Sequence, residues 1–128
     1  MTRILIADDS PHVRQRIRNL LQRHSDWQVC GEAVDGQDAI HKSDQLHPDV
    51  VILDFSMPVL NGIEAAQSIS RICPTASILL CSMFMDSQLV SMAREAGITC
   101  VLSKSNVGQI VSGIEAVLDG NEFVASRL

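Results

Sequence analysis

The sequence contains no tyrosine, and only 3% of its residues are aromatic. Its four cysteines include no C-x-x-C pair, and its four histidines show no metal-ligand spacing. Because zinc sites and disulfide frameworks depend on such spacings, we interpret the cysteines as buried free thiols and the histidines as surface residues. Neither residue type is therefore expected to form a metal site or a disulfide.

Long apolar runs and an excess of positive charge are also missing. No apolar segment is long enough to cross a bilayer, and the N-terminus lacks the basic, apolar and small-residue order of a signal peptide. The formal net charge of -5 argues against direct binding of nucleic acid. With 128 residues, of which 46% are hydrophobic, the chain fits one folded domain. We therefore expect a cytoplasmic domain that binds neither a membrane nor DNA.

Short apolar segments alternate with amphipathic segments along the chain. The apolar segments predict five β-strands, at residues 3–7, 27–33, 50–54, 76–81 and 99–103. The amphipathic segments predict five helices, at residues 11–24, 36–46, 63–73, 89–96 and 107–118. This alternation indicates an α/β fold with one doubly wound, five-stranded parallel sheet of the flavodoxin-like (βα)5 type, in the strand order 2-1-3-4-5. Residues 1–120 are assigned to this domain, and residues 121–128, which show no periodicity, to a tail or the start of a linker.

Polar residues stand where the predicted strands end. They are Asp8 and Asp9 after the first strand, Asp54 at the end of the third, Ser82 after the fourth and Lys104 after the fifth. The carboxyl ends of parallel strands meet at one edge of the sheet, and the order 2-1-3-4-5 makes the first and third strands neighbours there. A single aspartate in such a place is usually a turn or capping residue. Five polar residues that converge predict a site.

The residue types at this edge indicate phosphoryl chemistry. Carboxylates held close together repel one another, and a hard divalent cation relieves that repulsion. A few protein oxygens without an enclosing cage suit Mg²⁺. Asp54 would then act as a nucleophile toward phosphorus, while Lys104 and Ser82 bind the phosphoryl oxygens. A structural Lys-Asp ion pair with a capping serine is the alternative interpretation.

This set of residues resembles the receiver domain of two-component response regulators. The matching elements are Asp8-Asp9, Asp54 within an L-D-x-x-M-P-x-x-N-G run, Ser82 and Lys104, and they cover essentially the whole chain. The resemblance implies that Asp54 accepts a phosphoryl group from a sensor histidine kinase. The domain is then a signalling switch and not an enzyme with external substrates.

The resemblance also implies a metal site and an output. Mg²⁺ would be held by Asp9, Asp54 and the backbone carbonyl of Ser56, with Asp8 acting largely through water. Residues 97–104 and 114–121 are similar to those of receivers that precede a LuxR-like helix-turn-helix domain and control transcription. A DNA-binding domain outside this sequence, a stand-alone receiver and a homodimer formed on phosphorylation all remain open.

Two positions depart from the family pattern and are the expected switch positions. Val101 stands three residues before Lys104, where the family usually has tyrosine or phenylalanine, and Met83 stands where a small residue is common. Met83 is followed by Phe84 and Met85, and three apolar residues in a loop are either buried locally or form a patch for a partner. Switching through an aromatic side chain is therefore in doubt.

The arginines of the first helix also allow two interpretations. Arg14, Arg16, Arg18 and Arg23 make this helix basic. The general interpretation is a solvated face. The resemblance adds a second, because the family tends to dock its kinase at this helix.

Three other functions compete with the switch. An aspartate-nucleophile phosphohydrolase typically has a second acid two residues after the nucleophile, where this sequence has Ser56. A flavodoxin-like nucleotide binder needs a phosphate cradle after the first strand, where Asp8 and Asp9 would repel phosphate. A phosphorylation-independent, receiver-like interaction module is the third, favoured by the missing aromatic residue and opposed by the intact set of five.

Overall fold

The structure, a computed structural model, describes residues 1–125. Strands and helices alternate throughout this part of the chain. The strands are β1 (Thr2–Ala7), β2 (Trp27–Ala33), β3 (Val50–Asp54), β4 (Ser77–Ser82), β5 (Cys100–Ser103) and β6 (Phe123–Ala125). The α-helices are α1 (Pro11–Leu21), α2 (Gly36–Leu46), α3 (Gly62–Ile72), α4 (Ser87–Glu95) and α5 (Ile110–Leu118). A 3₁₀ segment, Lys104–Gln109, precedes α5.

One parallel sheet contains all six strands, in the order β2-β1-β3-β4-β5-β6. The predicted fold class and the predicted order of the first five strands are confirmed. β1 lies between β2 and β3, so the direction of winding reverses between β1 and β3. This reversal opens a crevice at the carboxyl ends of those two strands.

The sixth strand corrects the predicted count of five. β6 pairs with β5 in parallel, with Phe123 opposite Cys100 and Val124 opposite Val101. Three residues are too few to show a periodic pattern, and Val124 at the sheet edge is 45% exposed, so the sequence offered no strand signal. The domain boundary at Gly120 stays a prediction, and residues 126–128 of the predicted tail lie outside the described residues.

Both faces of the sheet are buried because its strand residues alternate between two cores. Leu5, Val51 and Leu53 pack against α2, α3 and α4, whereas Ile4 and Ile52 pack against α1 and α5. Burying one such side chain stabilises the fold by roughly 1.5–3 kcal/mol. This packing explains the near-continuous apolar runs in the sequence and fixes the strand ends that carry the polar residues.

Two helix boundaries differ from the prediction by three residues, and the others by no more than two. α1 begins as expected, with Ser10 as its N-cap and Pro11 at its first position, but it ends at Leu21 and not near residue 24. The ring of His24 stacks on Trp27 at a centroid distance of 3.9 Å, and this contact accounts for its apolar spacing. At the other end of the chain, Val107 lies in the 3₁₀ segment, so its periodicity belongs to that segment rather than to α5.

The predicted burial of the cysteines is confirmed for three of the four. Cys73, Cys81 and Cys100 are buried, and Cys30 is half-buried; all four are free thiols. Burial raises the pKa of Cys81 to about 12, and this keeps the thiol neutral and unreactive. Among residues 1–125, no helix has both the length and the apolar character needed to cross a bilayer.

Candidate functional site

The sheet brings the predicted site residues to one edge. Asp8 directly follows β1, Asp54 and Ser82 are the last residues of β3 and β4, and Lys104 directly follows β5. Asp8 is held in place by its amide, which donates to the carbonyl of Ala33 at 3.1 Å. The register of the strands therefore determines where the backbone of each site residue lies.

Lys104 joins two carboxylates. Its Nζ lies 3.1 Å from Asp8 Oδ2 and 3.2 Å from Asp54 Oδ2. The other oxygen of each carboxylate accepts a backbone amide: Ser10 N donates to Asp8 Oδ1 at 2.8 Å, and Ser56 N donates to Asp54 Oδ1 at 3.3 Å. Both aspartate side chains are only 3% exposed, so their charges depend on these partners.

The pKa values of Lys104 and Asp54 are both raised, but for different reasons. Burial disfavours the charged ammonium of Lys104, but its contacts with Asp8 and Asp54 outweigh burial and raise its pKa above the ordinary value. Burial and the charge of Asp8 raise the pKa of Asp54, against the opposing effects of Lys104 and the Ser56 amide. The raised pKa of Asp54 shows that one ammonium does not fully offset the burial and mutual repulsion of the two carboxylates.

Asp9 completes an acidic cluster that fits a metal ion. Asp8, Asp9 and Asp54 each have a carboxylate oxygen that lies within 4.8 Å of the others. Asp9 is exposed whereas the other two are buried, so one side of the cluster is open to water. An all-oxygen donor set with an open side suits a hard cation that keeps part of its hydration shell.

Ser82 stands at the site, but its hydroxyl has other partners. The hydroxyl donates to the carbonyl oxygen of Phe84 at 2.8 Å and accepts from the Phe84 amide at 3.3 Å. These bonds form a tight local turn and not the helix cap that the sequence left as an alternative, because the N-cap of α4 is Asp86. The structure therefore places Ser82 at the predicted edge with its proton directed to its own loop.

A groove of about 430 Å³ lies beside the acidic cluster, between the β3–α3 loop and α4. Ser56, Met83 and Phe84 contribute to its lining, together with Met92 from α4. Met83 is 64% exposed and Phe84 is 83% exposed, while Met85 packs against the core below α4. The three apolar residues thus divide: Met85 is partly buried against the core, and Met83 and Phe84 face solvent as a patch.

Val101 occupies a closed position on β5. It is 2% exposed, belongs to the core between the sheet and α4, and lies in register with Leu80 on one side and Val124 on the other. The strand β6 therefore covers the sheet edge next to this residue. Whether Val101 acts as a switch position stays a prediction.

Two arginines of α1 are part of an ion-pair network that the sequence did not reveal. Arg14 Nε lies 2.8 Å from Glu32 Oε1 on β2, and Arg18 pairs with the other oxygen of the same carboxylate. Arg14 Nη1 also donates to the carbonyl oxygen of Asp8 at 2.7 Å. The interpretation of this face as solvated is wrong for these two residues, although Arg16 and Arg23 are exposed.

Comparison with known proteins identifies the family to which this sequence is similar. The family model for the response regulator receiver domain matches residues 4–115. The transcriptional regulatory protein LnrK of Bacillus subtilis is 36% identical over 129 residues, which cover 100% of this chain and 59% of LnrK. The chemotaxis protein CheY of Thermotoga maritima is 37% identical over 95 residues, which cover 74% of this chain and 78% of CheY.

A solved structure gives the same result for the fold. The crystal structure of a LuxR-family two-component response regulator from Aurantimonas superposes with a TM-score of 0.90 at 34% identity, over 96% of this chain and 89% of that one. The chain spans about three fifths of the length of LnrK. With the strand order and the converging aspartates and lysine, these matches establish that the chain belongs to the response regulator receiver domain family, the regulatory, phosphorylation-dependent switches of two-component systems.

Proposed function

We propose that Asp54 is the phosphoacceptor of this receiver. A carboxylate oxygen of Asp54 forms the new bond to phosphorus while the bond from phosphorus to the donor breaks. The observation that carries the proposal is the position of Lys104, whose Nζ is 3.2 Å from Asp54 Oδ2. From there the ammonium can neutralise charge that develops on the phosphoryl oxygens.

The acidic cluster supports a magnesium ion as the resident cofactor. We assign Asp9, Asp54 and the backbone carbonyl of Ser56 as its ligands, with Asp8 acting through water. Bound Mg²⁺ would screen the carboxylates and neutralise part of the phosphoryl charge. Exposed Asp9 provides the open side through which the ion and the phosphodonor reach buried Asp54.

Phosphorylation then changes the loop after β4. A phosphoaspartate adds close to two negative charges, and Ser82 can bind one of its oxygens once the hydroxyl leaves Phe84. That exchange moves Met83 and Phe84, the exposed patch beside the site. Val101, which stands in place of an aromatic side chain, would transmit this movement to the sheet edge that β6 covers.

The test is transfer from a small phosphodonor. The protein is incubated with Mg²⁺ and acetyl phosphate, and its intact mass is measured. We expect a gain of one phosphoryl group in the wild type and in Asp44→Asn, which changes an exposed aspartate of α2, and no gain in Asp54→Asn. Equal phosphorylation of Asp54→Asn would reject Asp54 as the acceptor.

The relatives support a kinase donor and a transcriptional output for the whole protein. Receiver domains interact with histidine kinases, and we propose a sensor histidine kinase as the donor here. LnrK is named a transcriptional regulatory protein, and this chain covers 59% of it, so we propose a transcriptional output through a DNA-binding domain. A homodimer formed on phosphorylation would use the exposed patch of Met83 and Phe84, and size-exclusion chromatography with and without the phosphodonor tests it.

A phosphorylation-independent interaction module is not favoured. Such a module has no use for a lysine held between two buried carboxylates, because that arrangement requires the desolvation of both carboxylates. The family match over residues 4–115 also supports the switch.

A further inference from the structure

The loop that joins β1 to α1 carries Asp8 and Asp9, and its backbone is tied to two other elements. The amide of Asp8 donates to the carbonyl of Ala33 on β2, at 3.1 Å. The carbonyl oxygen of Asp8 accepts from Arg14 Nη1 on α1, at 2.7 Å. Because both ends of Asp8 are held, the orientation of the peptide that leads to Asp9 is set by these two bonds.

Arg14 is itself held in position. Its Nε is 2.8 Å from Glu32 Oε1, and its side chain is only 16% exposed. The second oxygen of Glu32 is occupied by Arg18, and Lys42 Nζ donates to the Glu32 backbone carbonyl. A planar guanidinium can donate to a carboxylate and a carbonyl at the same time, which an ammonium cannot do with the same geometry.

From these contacts we infer that Arg14 is a positioning residue for the metal site, acting through the carbonyl of Asp8 to orient Asp9. The inference rests on the proposed function, because it assumes that Asp9 is a ligand of Mg²⁺. Arg14 touches neither the metal nor the phosphoryl group. Its role is to hold the Asp8–Asp9 peptide so that the exposed Asp9 carboxylate faces the cluster.

Arg18 provides a matched control within the same network. It lies on the same helix and binds the same carboxylate as Arg14, yet its contacts are with Glu32 and not with the Asp8 carbonyl. Arg14→Gln and Arg18→Gln therefore each remove an arginine that pairs with Glu32. Only Arg14→Gln also releases the metal-binding loop.

The first experiment measures Mg²⁺ affinity without any phosphodonor. MgCl₂ is titrated into each variant. The backbone amide NMR shifts of Phe55 and Ser56, two residues that no variant substitutes, report the Kd. We expect Arg14→Gln to weaken binding by about ten-fold, the lower end of the range for residues that orient a metal ligand. Arg18→Gln should stay within about two-fold of the wild type, since it leaves the loop contact intact.

The second readout separates positioning from general damage. With acetyl phosphate as donor, the Mg²⁺ concentration that gives half the maximal phosphorylation rate should rise in Arg14→Gln by the same factor as the Kd. The rate at saturating Mg²⁺ should stay close to the wild-type rate, because Asp54 and Lys104 are untouched. A loss of the saturated rate with an unchanged Mg²⁺ requirement would overturn the inference.

The outcomes distinguish the two proposals. Equal Mg²⁺ affinities of Arg14→Gln and Arg18→Gln would overturn the role of Arg14 and leave the proposed function intact. A wild type that binds no Mg²⁺ would overturn both. If Arg14→Gln does not fold, Arg14→Lys and Arg18→Lys give the same comparison with the charge retained, and Arg14→Lys should again be the weaker binder of the two.

Discussion

The hydroxyl of Ser82 donates a hydrogen bond of 2.8 Å to the carbonyl oxygen of Phe84, its neighbour two residues on. A serine hydroxyl has a single proton to donate, so Ser82 cannot at the same time donate to a phosphoryl oxygen. Phe84 is 83% exposed, and no packing opposes its movement strongly. Under the proposed function, binding of the Asp54 phosphoryl group by Ser82 would require release of the loop that holds Phe84.

Removal of the Ser82 hydroxyl should uncouple phosphorylation from this movement. Ser82→Ala keeps Asp54 and Lys104, so we expect it to accept a phosphoryl group from acetyl phosphate. Hydrogen exchange of residues 83–86, however, should be the same with and without the phosphoryl group. Ser82→Thr retains a hydroxyl and should preserve the change. An exchange difference in Ser82→Ala as large as in the wild type would contradict the coupling.

The size of Phe84 should set the lifetime of the phosphorylated state. Phe84 and Ser56 both line the groove beside the cluster, and we expect a hydrolytic water to reach the phosphoaspartate through this groove. Phe84→Asn opens this route, and we expect dephosphorylation to become about ten-fold faster, a barrier change of about 1.4 kcal/mol. Decay of the phosphorylated mass over time measures it, with Leu118→Asn, an exposed position on α5, as control. An unchanged half-life would exclude Phe84 as the obstruction.

The loop after Asp54 contains a strained residue. Val59 has φ 74°, and Leu60 N donates to Pro58 O at 2.8 Å, so Val59 is the centre of a rare γ-turn that β-branched residues disfavour. Its side chain is 73% exposed and contributes little burial. Val59→Gly should therefore raise the free energy of unfolding by about 1 kcal/mol, because the relief of strain exceeds the entropic cost of glycine.

Urea denaturation measures this gain, and a second valine provides the control. Val34 is also exposed, at 49%, but its φ is not positive. Val34→Gly should lower stability by at least about 0.5–1 kcal/mol, since the entropic cost of glycine applies there without any relief of strain. A stability loss in Val59→Gly similar to that in Val34→Gly would show that the turn holds no strain.

The network at Glu32 should make stability depend on pH. Hydrogen bonds from Arg18 and Arg14 outweigh burial and lower the pKa of Glu32 below its ordinary value of 4.5. A lowered pKa stabilises the folded state above the unfolded value, and that contribution is lost as the pH falls through the folded value. The wild type should thus exceed Glu32→Gln in stability by about 1 kcal/mol near pH 7, with the gap narrowing in acid as the pH falls through the lowered pKa of the folded state.

Urea titrations of both proteins at neutral and at acid pH measure this difference in stability. Arg18→Gln removes a partner of the same carboxylate and should reproduce the trend with a smaller gap at neutral pH, because Arg14 remains. A gap between wild type and Glu32→Gln that persists unchanged in acid would assign the stabilisation to packing instead of charge.

The fold and the convergence of the site could be predicted because both follow from strand ends. The apolar run before Asp54 and the short strand before Asp8 mark where the sheet stops, and the parallel order brings these ends together. The acidic cluster then follows from residue types alone. A sheet-edge strand of three residues, such as β6, shows no such pattern, because its position depends on pairing with β5.

Side-chain partners that depend on tertiary register could not be predicted. The pairing of Arg14 and Arg18 with Glu32 requires the orientation of α1 across β2, which the helix sequence does not encode by itself. Ser82 lies at the predicted strand end, but its bond to Phe84 depends on a loop conformation that no periodicity describes. The sequence thus predicts where the chemical groups lie, whereas the ion pairs and hydrogen bonds between them are known only from the structure.

The most direct test of the central claim is to locate the phosphoryl group among the clustered carboxylates. After incubation with Mg²⁺ and acetyl phosphate, borohydride reduction converts an aspartyl phosphate to homoserine, and peptide mass spectrometry identifies the position. We predict homoserine at position 54, in the peptide that contains residues 50–62, and aspartate unchanged at positions 8 and 9. Homoserine at position 8 or 9, or at none of the three, would contradict the assignment of Asp54 as the phosphoacceptor.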